Sequence, residues 1–535
     1  MFRIVHTFTL VGARPERVRV EVTVRRGTPG IRTSGLSPTA ARHAVERIRA
    51  VAAGLSLRIP GLRITVNLAP ADIPKTGASF DLPILIGILA ASGSIPGDRL
   101  RKTALVGELG LDGSLRPVRG VLPMALRARG EADLSTLILP EANLSELAGV
   151  PGRDSLGAGS VADVLSFLAR RAELQRPGPA PACHPVRVPE LADVRGQATA
   201  KRALEIAAAG GHHLLLSGEP GAGKSMLATR LPGILPELDP EESLEVTSLH
   251  SIAGCLGAGS PLVRLRPFRA PHHSVTVRGM IGGGTVPRPG EVSLAHHGVL
   301  FLDELTEFRS PVLESLRAPL EQGVVHISRS GSTTTYPARI QLVAAMNPCP
   351  CGFRGSPADR CTCEDWQVRR YVSRLSGPLL DRFDMRVEVP AVRWQELRAE
   401  PAEHEFTVHR RARVELARSA AAARSSLRRA PPADPRRPEA APVRRNADLS
   451  PPEVRLFCEP DAAGERLLKR FVPALGLSAR GCDRILKVAR TIADLEASET
   501  VRAEHIAEAV HFRHGWRLPR GGTSAFAGSS FGGPC

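Results

Sequence analysis

The stretch HLLLSGEPGAGKS, residues 213–225, decides the fold of this chain. It predicts a short apolar strand, a glycine-rich turn and the start of a helix, and its last eight residues fit G-x-x-x-x-G-K-[ST]. Glycines let backbone N–H groups face phosphate oxygens, and the helix N-terminus adds a favourable dipole. The lysine is expected to reach the β- and γ-phosphates and the serine to ligate Mg²⁺. The predicted ATP-binding residues are Gly218, Glu219, Pro220, Gly221, Ala222, Gly223, Lys224 and Ser225.

Two further apolar stretches end in polar residues that suit phosphoryl transfer. Residues 298–304, GVLFLDE, end in Asp303, expected in the Mg²⁺ shell, and Glu304, expected to deprotonate the attacking water. The alternative is two solvated acids at a strand end. Asn347 ends the next predicted strand and could bond the same water, although a lone Asn more often forms a turn. The reaction also needs a cation, for which the candidates are Arg374, Arg382 and Arg480.

Length and charge restrict the class of protein. A chain of 535 residues with 42% hydrophobic residues should fold into about three to four domains. Its net charge of +17 favours a polyanionic partner, nucleic acid ahead of a membrane surface. Compositional bias is the alternative, since Arg far outnumbers Lys. The longest apolar run, residues 82–95, is too short to span a bilayer, and residues 1–20 do not read as a signal peptide. We therefore expect a cytoplasmic protein with reduced thiols.

The predicted fold class is α/β, with strands and helices alternating in two units before a helical region. Residues 410–445 carry 11 Arg and 3 acidic residues and are rich in Pro, which predicts a mobile basic loop. The expected organisation is an α/β domain at 1–172, a Pro-rich linker at 173–189, the P-loop domain with a parallel sheet at 190–390, a helical domain at 391–515 and a disordered tail at 516–535.

Four of the nine cysteines cluster directly after Asn347. Cys349, Cys351, Cys361 and Cys363 form two C-x-C pairs, and four thiolates are a typical tetrahedral Zn²⁺ set. The single-residue spacing is tighter than the usual two, so four reduced thiols are the alternative. A metal here would hold the turn after Asn347 rigid.

Several long motifs carry a family resemblance. With the P-loop, they make the chain similar to the ComM/YifB family, AAA+ ATPases related to the magnesium chelatase ATPase subunit. The resemblance covers residues 1 to about 515 except the basic loop. The motifs are VNLAPADIPK at 66–75, FDLP at 80–83, RPFRAPHH at 266–273, PGEVSLAHH at 289–297, NPCPCG at 347–352 and SGPLLDRFD at 376–384.

This resemblance implies a ring, usually a hexamer, with ATP between subunits. It makes Asn347 sensor 1, Arg382 the arginine finger for the neighbouring nucleotide, and Arg480 sensor 2 of the helical lid. The alternatives are a salt bridge from Arg382 to Asp381 or Asp384, and a solvated Arg480.

The first domain resembles the Lon-type protease fold. Ser79 stands at the nucleophile position, but Leu122 stands where that family has its lysine. A serine without its general base is a poor nucleophile. The domain is therefore expected to be non-proteolytic and to serve in assembly or DNA binding.

Loops that face the pore in this AAA+ branch match residues 279–290, flanked or occupied by Arg278 and Arg288, and the predicted hairpin at 324–338 with His326 and Arg329. Such cations suit contact with DNA backbone phosphates, unless they are solvated or paired with acids. The resemblance implies a branch-migration motor acting on branched or single-stranded DNA during integration of incoming DNA. The alternatives are a chelatase-type protein-remodelling motor and an ATP-dependent protease.

Overall fold

A computed structural model describes the chain except residues 76, 151–153, 180–187, 257–261, 285, 330–331, 357–359, 401, 428–444 and 515–535. The nucleotide-binding unit is built on five parallel strands in the order β11-β14-β17-β10-β18. Its elements are α5 Ala198–Gly210, β10 Leu214–Gly218, α6 Lys224–Ile234, α7 Pro240–Ala253, β11 Phe268–Arg269, α8 Val277–Ile281, β12 Gly282–Gly283, β13 Arg288–Pro289, α9 Glu291–Leu294, β14 Val299–Leu302, α10 Ser310–Ser315, α11 Arg317–Gln322, β15 Val324–Arg329, β16 Ser332–Pro337, β17 Gln341–Met346, α12 Asp365–Val372, α13 Gly377–Leu380 and β18 Met385–Val389.

The central strands of this sheet are buried on both faces. Every residue of β10, β14 and β17 is buried, as expected for parallel strands covered by helices on both sides. Gly218 ends β10 so close to β18 that an added Cβ would lie 2.1 Å from the Val389 carbonyl oxygen. Because the strands are parallel, their carboxyl ends form one edge of the sheet, where ligands bind in this class of fold.

The first unit is a separate mixed sheet of seven strands in the order β3-β4-β2-β1-β5-β8-β9. Alternate valines of β2 are buried beneath α2, all of whose residues are buried. The elements are β1 Phe2–Val11, β2 Arg14–Arg25, β3 Gly30–Ser34, α1 Pro38–Gly54, β4 Arg63–Ala69, α2 Asp81–Ala91, β5 Thr103–Leu105, β6 Glu108–Leu109, β7 Leu115–Arg116, α3 Val121–Gly130, β8 Thr136–Pro140, β9 Asp154–Ala158 and α4 Val161–Leu168.

The last part is helical, and here the predicted basic loop is wrong in its first half. Residues 407–427 form one helix, because an alanine-rich sequence favours helix and the arginines find partners. Arg410 pairs with buried Glu205 at 3.1 Å, and Arg424 pairs with Asp494 at 2.7 Å. Residues 428–444, residues 180–187 of the predicted linker and the tail lie outside the described residues. The elements are α14 Trp394–Arg398, α15 Thr407–Leu427, α16 Pro451–Phe457, α17 Ala462–Leu475, α18 Ala479–Leu495 and α19 Ala503–His514.

The two sheet units share a small apolar contact. Leu249 and Ile252 of α7 pack with buried Tyr336 of β16, and Leu10 of the first sheet packs against them. The Ser251 hydroxyl beside them donates to the Glu146 carboxylate at 2.5 Å. Within the described residues, no helix has the length and apolar character needed to cross a membrane.

Candidate nucleotide-binding site

The glycine-rich turn wraps around the ammonium group of Lys224. Gly221 and Gly223 have φ of +79° and +91°, which lets the turn lead directly into α6 at Lys224. The Lys224 Nζ donates to the carbonyl oxygens of Gly218 at 2.7 Å and Glu219 at 2.9 Å. Burial lowers the Lys224 pKa, and neighbouring carboxylates, Asp303 first, act in the opposite direction. The lysine is thus held at the N-terminus of α6, where phosphate oxygens are favoured.

Asn347 lies beside this lysine, as adjacent parallel strands require. The third donor of Lys224 Nζ reaches Asn347 Oδ1 at 3.1 Å. β10 precedes the turn and β17 precedes Asn347, and the two strands are paired in register from Leu214 with Val343 to Ser217 with Met346.

A hydroxyl and a carboxylate meet at the same sheet edge. The Ser225 Oγ donates to Asp303 Oδ2 at 2.6 Å, and the Glu304 backbone N–H donates to Asp303 Oδ1 at 3.0 Å. These hard oxygen donors next to a phosphate cradle fit Mg²⁺, which binds through one or two protein oxygens plus substrate phosphates. The residues present therefore match a site for a Mg²⁺-nucleotide.

Glu304 is held in an unusual conformation. Its φ of +52° lies in the left-handed region, which strains a residue other than glycine and is found often at functional sites. The side chain is 60% exposed, and its Oε2 lies 3.6 Å from His273 Nδ1. Glu304 also lines a cavity of about 870 Å³ together with Asn347, Cys351, Trp366 and Arg370.

Among the described residues, the two candidate arginines of the resemblance make no hydrogen bond or ion pair to the P-loop. Arg382 pairs with Glu321, so the alternative partners Asp381 and Asp384 are wrong. Burial lowers the Arg382 pKa, and the positive charge of Arg480 lowers it further. Arg480 is exposed and has no hydrogen bond or ion pair to the residues that the structure describes.

Arg374, the third candidate cation, and Arg484 of the helical region both bond to other residues of the same chain. Arg374 Nη1 bonds the Thr306 carbonyl oxygen at 3.3 Å and Glu307 at 3.4 Å. Arg484 of α18 donates at 2.8 Å both to Asp384 Oδ1 and to the Arg382 carbonyl oxygen. The sequence analysis missed Arg484, whose partner lies 100 residues earlier.

The four cluster cysteines meet in one place. Their ligand atoms all lie within 4.8 Å of one another, with Sγ separations of 3.3 Å for Cys349–Cys351 and 3.7 Å for Cys349–Cys361 and Cys351–Cys361. Tetrahedral zinc with Zn–S near 2.3 Å needs sulfurs about 3.8 Å apart. Burial raises the Cys349 pKa, which a bound cation would counter. The geometry and chemistry of the four sulfurs fit Zn²⁺.

Glu245, His296 and His297 form a further cluster of possible metal ligands, and their polar atoms bond one another. The Arg339 backbone N–H donates to His296 Nδ1 at 2.9 Å, so His296 Nε2 carries the proton and donates to Glu245 at 3.1 Å. His297 Nε2 bonds the same carboxylate at 2.8 Å. A metal ion would need the Nε2 lone pair that this tautomer does not offer.

The structure also places the protease-like residues of the first unit and the two loops with basic side chains. Leu122 is fully buried in the core beside Phe8, which leaves half-buried Ser79 without the lysine of the protease pattern. The glycine-rich segment that was expected to face a pore, residues 279–290, includes the end of α8 and the small β12–β13 hairpin. Residues 324–329 pair with 332–337 as the predicted hairpin requires. Arg278, Arg288 and His326 are exposed; the Arg329 side chain lies outside the described residues.

Comparison with known families covers almost the whole chain. Residues 20–143 match the family described as subunit ChlI of Mg-chelatase, residues 190–397 match magnesium chelatase subunit ChlI, and residues 404–513 match its C-terminal part. The parallel sheet with its P-loop, and the helical region that follows, define a protein of the AAA+ class.

Individual relatives specify the family. The chain is 42% identical over 510 residues to the uncharacterized protein YifB of Escherichia coli strain K12, covering 95% of this chain and 96% of the relative. It is 40% identical over 520 residues to competence protein ComM of Haemophilus influenzae, covering 96% and 98%. An uncharacterized protein of Mycobacterium tuberculosis is 42% identical over 505 residues, covering 94% and 96%. The chain belongs to the ComM/YifB family of magnesium chelatase-related AAA+ proteins.

Proposed function

We propose that this chain is an ATPase that assembles into a ring, with a hexamer as the expected size, and couples hydrolysis to movement on DNA in the cytoplasm. The ATPase part rests on one observation. At the carboxyl edge of one parallel sheet, Lys224 donates a hydrogen bond to Asn347 and Ser225 donates one to Asp303. Mg²⁺ bound with the nucleotide would neutralise phosphate charge during transfer.

Each of these residues has a defined task in the proposal. Lys224 exchanges its carbonyl partners for phosphate oxygens, and the turn's N–H groups hold the same phosphates. Ser225 and Asp303 supply oxygen ligands to Mg²⁺. Glu304 accepts a proton from the attacking water, and Asn347 orients that water as sensor 1. The exposed carboxylate of Glu304 makes it accessible to that water.

In the proposed ring, a neighbouring subunit adds a cation to the site. We assign Arg382 as the finger for a neighbouring nucleotide and Arg480 as sensor 2. In support, no hydrogen bond or ion pair of the described residues joins either arginine to the P-loop, and Glu321 holds Arg382 in a fixed position. A cation that arrives with a neighbour can respond to its movement.

DNA is the proposed track. Its support is the net charge of +17, the exposed basic side chains of Arg278, Arg288 and His326 in the segments 278–290 and 324–337, and a relative named competence protein. Contacts of this kind address the backbone and depend on salt rather than sequence. Branch migration during integration of incoming DNA is the proposed task.

Two other functions remain candidates with less support. A protein-remodelling motor of the chelatase type would share the P-loop unit, but it would leave the exposed hairpin cations without a purpose. An ATP-dependent protease would need a base for Ser79, and buried Leu122 stands where that base belongs.

We further propose that Cys349, Cys351, Cys361 and Cys363 bind one structural Zn²⁺. Four sulfurs within 4.8 Å of one another support this ion over oxygen-preferring cations, because soft thiolate ligands select zinc. Stoichiometric zinc in protein purified without added metal supports this assignment, and a metal-free protein with four free thiols contradicts it.

The decisive experiment measures ATP hydrolysis with single-stranded, duplex and four-way-junction DNA. We expect DNA to stimulate hydrolysis and Glu304→Gln to abolish it. Glu307→Gln is the matched control, because Glu307 is a nearby exposed acid that pairs only with Arg374 among the residues described. ATP turnover that ignores every DNA would contradict the DNA part and favour protein remodelling.

A further inference from the structure

The four-cysteine segment, residues 348–364, and the asparagine that precedes it contact the ATP-binding turn at three points. Asn347, immediately before the segment, accepts from Lys224. Gly352, with φ of +87°, lies so close to the turn that an added Cβ would be 2.6 Å from Pro220 Cδ. Arg360 donates to Glu219 Oε2 at 2.9 Å. Two of these contacts fall on the variable positions of the P-loop octet, Glu219 and Pro220, which the G-x-x-x-x-G-K-[ST] pattern does not fix.

Little apart from the sulfurs orders this segment. Its described residues form turns but no helix or strand. The guanidinium of Arg360 lies 4.5 Å from the Phe353 ring centroid, and Arg354 bonds exposed Asp365 at 2.8 Å. Fixing an irregular backbone costs about 1–2 kcal/mol per residue, so a cross-link at its two ends decides whether it keeps one shape. Cys349 and Cys363 stand near those two ends.

We propose that metal binding at the four cysteines and nucleotide binding at the P-loop are thermodynamically linked, with Arg360 as the positioning residue that carries the linkage. The metal fixes the described residues around the cysteines, 348–356 and 360–364, which places Arg360 on Glu219 and Gly352 against Pro220. Glu219 is 8% exposed; it interacts electrostatically with Lys224, and Arg360 is the cation that bonds its carboxylate and holds this part of the turn in position. The inference rests on the proposed zinc and ATP sites and adds their dependence on each other.

Linkage is reciprocal, which gives two independent measurements. If zinc strengthens nucleotide binding by some factor, the nucleotide must strengthen zinc binding by the same factor. We expect a factor of about five, at the low end of measured couplings, because Arg360 is half-exposed.

The experiment uses the full-length protein, Mg²⁺ and a fluorescent ADP, so that neither hydrolysis nor DNA is needed. Arg360→Ala should retain one zinc per chain and bind the ADP about fivefold more weakly. Arg354→Ala is the matched control, because it removes a neighbouring arginine whose side chain bonds Asp365 and, among the described residues, no part of the P-loop. This variant should bind ADP like the wild type. Competition with a chelator should show that MgADP tightens zinc binding in the wild type and not in Arg360→Ala.

Several results would overturn the inference. Equal ADP affinity in Arg360→Ala and wild type removes the linkage, even if zinc is present. Zinc affinity that ignores MgADP removes it independently. Cys361→Ser should lose both zinc and tight ADP binding, and Arg360→Ala tests the link without disturbing the ligands. Failure of DNA to stimulate hydrolysis would contradict the motor but leave these binding results unchanged.

Discussion

Replacing Arg484 with glutamine tests how the lid helix is attached to the nucleotide-binding unit. Arg484 lies in α18 and makes two hydrogen bonds, to the Asp384 carboxylate and to the Arg382 carbonyl oxygen. Burial acts to raise the pKa of the Asp384 carboxyl, but the neighbouring His212 ring and the charge of Arg484 outweigh it and hold the pKa well below its usual range. The substitution therefore leaves an ionised, buried carboxylate with one cation fewer.

The size of the effect follows from burial. Breaking a fully buried pair costs about 3–5 kcal/mol. The Arg484 side chain is 24% exposed, and the His213 N–H still donates to Asp384 at 3.2 Å, so we expect about 2–3 kcal/mol. That corresponds to a fall of about 5–10 °C in the unfolding midpoint of the unit.

Arg480 is the matched comparison, four residues earlier on the same helix. Because it is exposed and unpaired among the described residues, Arg480→Gln should change stability by less than about 0.5 kcal/mol. If it is sensor 2, the same substitution should lower ATP hydrolysis about 10²-fold. Thermal unfolding and steady-state ATPase assays separate the two effects. An Arg484→Gln protein as stable as the wild type would refute the proposed lid anchor.

Three further substitutions test the ring, the pH response and the hairpins. Arg382→Ala should lower ATP hydrolysis about 10³-fold. In a mixed ring with Glu304→Gln subunits, about a quarter of the subunit interfaces combine an intact Glu304 with an intact Arg382, so part of the activity should return. No recovery on mixing argues against a finger acting between subunits. Burial lowers the pKa of His296 to about 4 from 6.5, so the neutral form stabilises the fold fully above pH 6.5, and stability should fall by up to about 3 kcal/mol toward pH 4. His296→Gln should flatten that decline in pH-dependent thermal melts, and an unchanged slope would exclude this histidine. Tyr336→Phe removes the hydroxyl bond to the Pro287 carbonyl oxygen at 2.8 Å, at a cost of about 1–2 kcal/mol, and should reduce DNA-stimulated ATPase more than basal ATPase; equal losses would detach the hairpins from DNA.

The parts of the site that depend on short local patterns were predictable. The octet at residues 218–225 implied a strand, a turn and a helix, and these elements are present. The contact between Lys224 and Asn347 follows because each residue comes after a strand of one parallel sheet, and neighbouring parallel strands end at the same edge. The clustering of four cysteines was likewise readable from their spacing.

The errors and omissions concern partners that are distant in sequence. Charge density in residues 410–445 suggested a mobile loop, but Glu205 neutralises Arg410 from 205 positions earlier. The same holds for Arg382, whose partner Glu321 lies 61 residues away rather than next to it. Arg360 carried no signal at all, since an arginine between two cysteine pairs is unremarkable until the fold brings Glu219 to it.

The contact between the two sheets gives the first unit a mechanical part in the proposed motor. Gly12, with φ of +66°, forms the turn between β1 and β2, and an added Cβ there would lie 2.4 Å from Thr334 Cγ2 of the 324–337 hairpin. Buried Tyr336 fixes the base of that hairpin, and its hydroxyl donates to the Pro287 carbonyl oxygen in the glycine-rich segment 279–290. Because packed cores shift between discrete arrangements rather than deform smoothly, a hairpin that moves with ATP turnover must move this turn or break the contact. The first unit would then report or restrain hairpin movement even without a proteolytic site.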